Sequence, residues 1–163
     1  MQRERRRYDT AAFRESAAAL RAAFPGCALT TDVLCGFPGE TEEEHADTMA
    51  FCREIAFARM HVFPYSERTG TPAADMPGSV PVQVREARAR QLIALGREMA
   101  DAYRHSQLGS VRNVLFETCD GSMSVGYTPE YMRCEASGAL CGQTLPVSLT
   151  GLASEGFIGK VVV

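Results

Sequence analysis

The stretch Thr30 to Thr41, T-T-D-V-L-C-G-F-P-G-E-T, places an apolar run, a glycine-proline-glycine turn and a carboxylate next to one another. Val33, Leu34 and Cys35 suit a buried strand, and Gly36 and Gly39 lack the side chains that would keep a planar or phosphate-sized group from the main chain. Phe37, Pro38 and Glu40 complete the turn. Thr41 and Glu44 have the spacing of a capping box, and the free amides of that helix start would favour polar or anionic ligand atoms. The competing reading is that Gly36 and Gly39 only permit a tight strand-to-helix turn. Asp32 lies inside the apolar run, and a buried carboxylate needs a partner. That partner is either a ligand or one of Arg59 and Arg68.

A second group with chemical potential follows a short apolar run, R-M-H-V-F, at Arg59 to Phe63. Tyr65 and Ser66 fall at a strand end, where ligands collect in α/β folds. Arg68 could meet a phosphate or pair with Glu67 or Asp75. His61 reads as a core histidine, and His45 and His105 as surface residues on helices. The six cysteines, at 27, 35, 52, 119, 134 and 141, nowhere show the two- or three-residue separations of zinc and iron–sulfur sites. They read as scattered, mostly buried thiols rather than metal ligands, and without a secretory signal disulfides are not expected.

These residues need elements to hold them. Thr10 to Phe24 is alanine-rich and closed by Pro25-Gly26, which predicts a helix. A strand follows over Leu29 to Cys35. A helix is predicted from Thr41 to about Ala56 with Thr48, Phe51, Cys52 and Ile55 as its inward stripe. Arg59 to Phe63 is the next strand, and helix, strand, helix, strand is the repeat of a parallel α/β sheet or barrel. From Pro64 to Gly78 three prolines and two glycines predict an ordered loop. Pro81 opens a long helix to about Leu108, with Leu92, Leu95, Met99 and Tyr103 inward and Arg85, Arg90 and Arg97 covering the other faces.

The character changes at Gly109. Candidate strands at Val111–Thr118, Met123–Tyr127, Tyr131–Glu135, Leu145–Thr150 and Phe157–Val162 are separated by turn signals at Asp120-Gly121, Thr128-Pro129, Ser137-Gly138, Gly151 and Glu155-Gly156. Short strands at this spacing fit a small all-β barrel of the OB-like type. The organisation is therefore 1–80 as a partial α/β unit, 81–109 as a linking helix and 110–163 as the small barrel. In that barrel Tyr127, Tyr131, Arg133 and Lys160 are candidates for RNA contact, through stacking and phosphate pairing. From Ser110 onward three basic residues face five acidic ones, so this module would be an auxiliary contact, and hairpin packing is the alternative for the two tyrosines.

The net charge of −3 excludes a strongly basic, histone-like nucleic-acid binder, although Arg3, Arg5, Arg6 and Arg7 make the start locally basic. No apolar stretch approaches the ~20 residues that a membrane helix needs. The expected compartment is the cytoplasm, with neither membrane nor DNA as partner.

Four blocks occur in order: T-T-D-V-L-C-G-F-P-G-E-T-E-E-E, H-V-F-P-Y-S-E-R-T-G-T-P-A-A, a helix carrying Arg85, Glu86 and Arg88, and G-Y-T-P-E-Y-M-R-C. Together they resemble the methylthiotransferases of the radical S-adenosylmethionine superfamily, over nearly the whole chain. The resemblance implies the C-terminal part of an open radical-SAM (β/α) barrel followed by a TRAM domain that holds RNA. It implies S-adenosylmethionine against Gly36, Phe37, Pro38, Gly39 and Glu40, with Asp32, Tyr65 and Ser66 nearby. Arg68, Tyr127, Tyr131, Arg133 and Lys160 would face a tRNA anticodon stem-loop. The loop H-V-F-P-Y-S before Gly70-Thr71-Pro72 is most similar to the branch that modifies threonylcarbamoyladenosine. The isopentenyladenosine branch is next, and a branch acting on a ribosomal-protein aspartate is less similar.

The family also uses 4Fe-4S clusters and a sulfur donor. Full-length members carry a cluster-binding domain and a C-x-x-x-C-x-x-C loop that this sequence lacks, so the resemblance implies that the chain by itself is not catalytic. In the parent enzyme a reduced cluster would cleave S-adenosylmethionine to a carbon radical that abstracts hydrogen from the adenine ring, after which sulfur and a methyl group are added. The rival from another class is a binding module, with a degenerate α/β half and a barrel that contacts RNA or protein without transforming it.

Overall fold

The computed structural model describes residues 7–162. Of the basic start, Arg3, Arg5 and Arg6 lie outside the described residues. The elements are α1 (Thr10–Ala23), β1 (Thr30–Cys35), α2 (Glu42–Ile55), β2 (Arg59–Pro64), α3 (Val82–Gln107), β3 (Val111–Asp120), β4 (Met123–Tyr127), β5 (Arg133–Ser137), β6 (Thr144–Ala153) and β7 (Gly156–Val161). They form two compact units, residues 1–100 and 101–163.

In the first unit β1 and β2 pair in parallel from Thr30↔Arg59 to Cys35↔Pro64. Asp9 caps α1, its side chain accepting from the Ala12 amide at 2.8 Å. Thr41 caps α2 through a complete capping box: the Glu44 amide donates to Thr41 Oγ1 at 3.2 Å, and the Thr41 amide to Glu44 Oε2 at 3.0 Å. The Pro81 carbonyl accepts from the amides of Val84 and Arg85, which starts α3. One face of the strand pair packs with Ile55, Phe57, Leu92 and Leu95 into an apolar core. Leu92, the first residue of the expected α3 stripe, is fully buried there.

The other face of the pair is open. Thr30, Asp32, Arg59, His61 and Phe63 are exposed along it. Parallel strands are ordinarily covered on both faces, and no element of this unit covers this one. It corrects two expectations: Asp32 is neither buried nor ion-paired with Arg59 or Arg68, and His61, its register partner, is not a core residue. The period of two sends both to the face that no element of this unit covers.

His45 is corrected in the opposite direction. It is buried on α2, where its Nε2 lies 2.7 Å from Gln91 Oε1. It shares its helical face with Cys52 and Ile55, seven and ten residues on, and the expected Thr48 is only half-buried. Arg85 is also misassigned by periodicity, since it points into the loop region rather than covering an outer face of α3.

The second unit contains a closed barrel in the order β3-β4-β5-β7-β6, with β6 returning to β3. All contacts are antiparallel except β5 with β7. Phe116, Val114, Val147, Leu149 and Phe157 fill the interior, at alternate positions along their strands. Gly151, expected as a turn, sits within β6 at a register shift, where the strand bends around the barrel. The cysteine expectation also changes. Cys119 and Cys141 are joined as a disulfide, whereas Cys27, Cys35, Cys52 and Cys134 are free. Closure of the barrel brings together two positions whose separation in sequence carried no signal.

Candidate functional site

In the first unit the candidate residues meet at the C-terminal ends of β1 and β2. The Tyr65 amide donates to the Cys35 carbonyl at 2.8 Å, which extends the strand pairing into the loops. Phe37 and Tyr65 then meet edge to face with centroids 5.4 Å apart. The Gly36 turn and the Tyr65 loop are thus neighbours, as the strand order requires.

Arg85 of α3 fastens both loops. Its Nη1 donates to the Tyr65 carbonyl at 2.5 Å, and its guanidinium lies 5.9 Å from the Tyr65 ring centroid. Its aliphatic stem fills the space over Gly36: a Cβ there would sit 2.2 Å from Arg85 Cγ. Gly36 has φ +73° and Gly39 has φ +77°, values that cost an L side chain free energy. The Gly39 amide donates to the Gly78 carbonyl at 2.7 Å, and a Cβ on Gly78 would lie 3.2 Å from Gly39 Cα. Of the two readings left open for these glycines, the structure supports turn geometry and close internal packing. The space at Gly36 is already occupied by protein.

Glu40 is likewise turned inward. Its Oε2 accepts from the Gly36 amide at 2.8 Å and its Oε1 from Arg88 Nη1 at 2.8 Å, and the same Arg88 nitrogen reaches the Glu40 carbonyl at 3.1 Å. Arg88 Nη2 binds Glu42 Oε2 at 2.8 Å. Burial alone would lower the Arg88 pKa, but pairing with Glu42 and Glu40 outweighs it and the net shift is upward. The hydrogen bond from Arg88 holds the Glu42 carboxyl below its ordinary range. With Glu42, Glu43 and Glu44 in the first turn of α2, the positive helix end is largely answered by the chain's own carboxylates.

What remains open to a ligand is an aromatic and polar rim. Tyr65 Oη is buried without a hydrogen-bond partner, and such an atom calls for one. Phe37 is half-buried beside it, Ser66 is exposed on the loop, and Asp32 stands on the open strand face. This set combines two aromatic rings with a serine hydroxyl and a carboxylate. It offers no ligand set for an iron–sulfur cluster: among the described residues no three His, Cys, Asp or Glu side chains converge as a metal site. Cys35 is buried, and burial, with Glu40 close by, pushes its thiol up to about 11.

Arg68 is exposed, and its carbonyl accepts from Thr71 Oγ1 at 2.8 Å, which shapes the loop. In the second unit Tyr127 faces Arg133 across β4 and β5. Ile158 lies beside Glu135 on β7, and Lys160 is two residues further on the same outward face. Tyr131 is 77% exposed at φ +59°, in the turn between β4 and β5. That exposure speaks against hairpin packing for Tyr131, and Tyr127 is 38% exposed. Arg133 is ion-paired with Glu135, so part of its charge is spent internally.

Sequence reasoning missed the internal roles of Arg85, Arg88, His45 and Gln91. Arg85 and Arg88 were visible only as members of a recurring block, and His45 and Gln91 carried no local signal.

No protein-family model matches the chain. It is homologous over nearly its whole length to tRNA-modifying enzymes. It is 39% identical over 167 residues to the threonylcarbamoyladenosine tRNA methylthiotransferase MtaB of Bacillus subtilis, covering 99% of this chain and 34% of that protein. It is 34% identical over 170 residues to the tRNA-2-methylthio-N(6)-dimethylallyladenosine synthase of Acidothermus cellulolyticus, with 99% and 34% covered. It is 33% identical over 160 residues to MtaB of Thermotoga maritima, with 97% and 37% covered. The chain thus spans about a third of the length of these relatives.

Proposed function

We propose that this chain, homologous to the tRNA methylthiotransferases, is the C-terminal portion of such an enzyme, and that it acts on threonylcarbamoyladenosine beside the anticodon. The observation that carries the reading is the pairing of the Gly36–Glu40 turn with the Tyr65 loop at one end of a parallel strand pair, fixed by Arg85. In an α/β barrel that end is where ligands bind. Support for threonylcarbamoyladenosine over dimethylallyladenosine comes from the H-V-F-P-Y-S loop and from the higher identity to the Bacillus subtilis enzyme.

S-adenosylmethionine, when bound, would supply a methyl group and a carbon radical. This chain's part is to bound one side of it. Tyr65 Oη and the peptide edge of Phe37 and Pro38 would hold polar atoms, with Ser66 and Asp32 at the rim. Gly36, Gly39 and Glu40 would act through the shape of the turn rather than by direct contact. The cluster and the sulfur donor belong to residues outside this chain. Residues 110–163 would form the TRAM domain that steadies the tRNA with Tyr127, Tyr131, Arg133 and Lys160, while Arg68 meets phosphate near the site. Work on tRNA would be cytoplasmic, and no helix among the described residues is long and apolar enough to cross a membrane.

The test is a chimera in which this chain replaces the homologous third of the Bacillus subtilis relative, produced in cells that lack the modification. Mass spectrometry of tRNA nucleosides should show 2-methylthio-threonylcarbamoyladenosine. A folded, cluster-loaded chimera that yields only the dimethylallyl product would move the assignment to the other branch. One that yields neither would overturn the proposal.

A further inference from the structure

The cysteines form chemically distinct populations. Cys35, Cys52 and Cys134 are buried, and burial pushes each thiol up to about 11. Such thiols are almost wholly protonated near neutrality and poor nucleophiles. Cys119, near the end of β3, and Cys141, in the loop before β6, are both exposed, with Cα atoms 5.8 Å apart.

What holds these two together is more than the sulfur–sulfur bond. The Gly142 amide donates to the Phe116 carbonyl at 2.8 Å, and the Phe116 amide to the Gln143 carbonyl at 2.9 Å. The buried Ser124 hydroxyl donates to the Gly138 carbonyl at 2.6 Å and accepts from the Leu140 amide at 3.0 Å. None of these bonds runs through the disulfide, and together they place residues 138–143 against β3 and β4, which keeps the two cysteines within bridging reach. The Cys141 amide also donates to Cys119 Sγ at 3.1 Å. Of the two sulfurs, Cys119 Sγ is the one with an amide donor in place, and it is the attacking sulfur of the pair.

We infer that Cys119 and Cys141 are a reversible thiol–disulfide pair that exchanges with low-molecular-weight disulfides and, when oxidised, clips the 138–143 loop to β3. The Cys119 thiolate attacks one sulfur of the small disulfide, breaking its S–S bond, forming a mixed disulfide and releasing one thiolate. The Cys141 thiolate then attacks Cys119 Sγ and expels the second. Two electrons pass from the protein pair to the small disulfide, giving one protein disulfide and two small thiols. The inference rests on the barrel alone and is independent of the reaction proposed above.

The experiment equilibrates the whole chain in buffers of reduced and oxidised glutathione, counts free thiols by maleimide alkylation, and maps them by peptide mass spectrometry. Two of the six thiols should be lost together, in one transition that follows the square of reduced glutathione over oxidised glutathione. The product should be a peptide joining Cys119 to Cys141, and Cys141→Ser should retain glutathione on Cys119. Amides of residues 140–143 should exchange with deuterium faster after reduction. A first-power dependence with stable glutathione adducts on the native chain would overturn the inference. So would thiols that never oxidise, or a bridge that excess reduced glutathione leaves intact. The titration of the native chain decides the matter even if the variant does not fold.

Discussion

Arg85 occupies the space that Gly36 leaves empty, its Cγ 2.2 Å from where a Cβ on Gly36 would stand. This one relationship joins α3 to the turn after β1, and the same guanidinium reaches the Tyr65 loop after β2. The mouth of the strand pair is therefore preassembled by a residue with no sequence proximity to either loop.

Gly36→Ala should destabilise the first unit by about 2–4 kcal/mol, combining a left-handed backbone with overpacking. The variant Arg85→Ala should lose less, and the double variant should cost less than the sum of the two. Thermal melting of all four proteins gives the cycle, and strict additivity would show that the two residues do not share the space.

Removal of Arg88 should leave Glu40 mostly buried with two hydrogen bonds fewer, one at its carboxylate and one at its carbonyl. Arg88→Met should cost about 3 kcal/mol in urea unfolding. Arg88→Lys should recover only part of this, because an ammonium cannot hold Glu40 and Glu42 through two nitrogens of one planar group. Full recovery by lysine would show that charge alone suffices.

The buried thiols give a prediction for alkaline pH. Their folded pKa, about 11 for Cys35, Cys52 and Cys134, lies above the ordinary cysteine value. Between the two values the folded chain holds more protons than the unfolded one, so stability is complete below about pH 8.5 and falls as pH rises toward 11. Chemical unfolding at pH 8 and pH 10.5 should show this loss. A triple substitution to alanine should be less sensitive to pH over the same window, although less stable throughout.

The proposed RNA face predicts that Tyr131→Ala weakens tRNA binding by the intact enzyme by about 1–3 kcal/mol, the range for a base stacked on an aromatic ring. Lys160→Ala should reduce the slope of log affinity against log salt by about 1 and act equally on different tRNAs. Filter-binding measurements over a salt series read both quantities. Unchanged affinity for both variants would remove this face from the RNA contact.

The open strand pair has a physical cost. Phe63 is 52% exposed, and a groove of about 410 Å³ lined by Tyr8, Phe13, Leu20, Leu29 and Phe57 flanks β1. Unpaired parallel edges and apolar surface of this kind favour association. Light scattering after size exclusion should show self-association of the isolated chain. A monomer at every concentration with one cooperative melting transition would contradict this.

Local features were legible in the sequence because their causes are local. The Thr41–Glu44 capping box, the inward stripe of α3 around Leu92, the alternation in the barrel strands and the turn at Asp120-Gly121 all depend on residues a few positions apart. The recurring blocks also identified the kind of enzyme to which the chain is homologous. Tertiary structure alone decided the rest. Arg88 meets Glu40 across 48 residues of sequence and Cys119 meets Cys141 across 22, and no period encodes such contacts. His45 is buried because α2 packs it beside Gln91, and Asp32 is exposed because no element of its own unit covers that side of β1. Burial is a property of the assembled surface. The same amphipathic pattern fixes which residues share a face, but packing determines which face meets water, which glycine is filled by an arginine, and which carboxylate stays exposed.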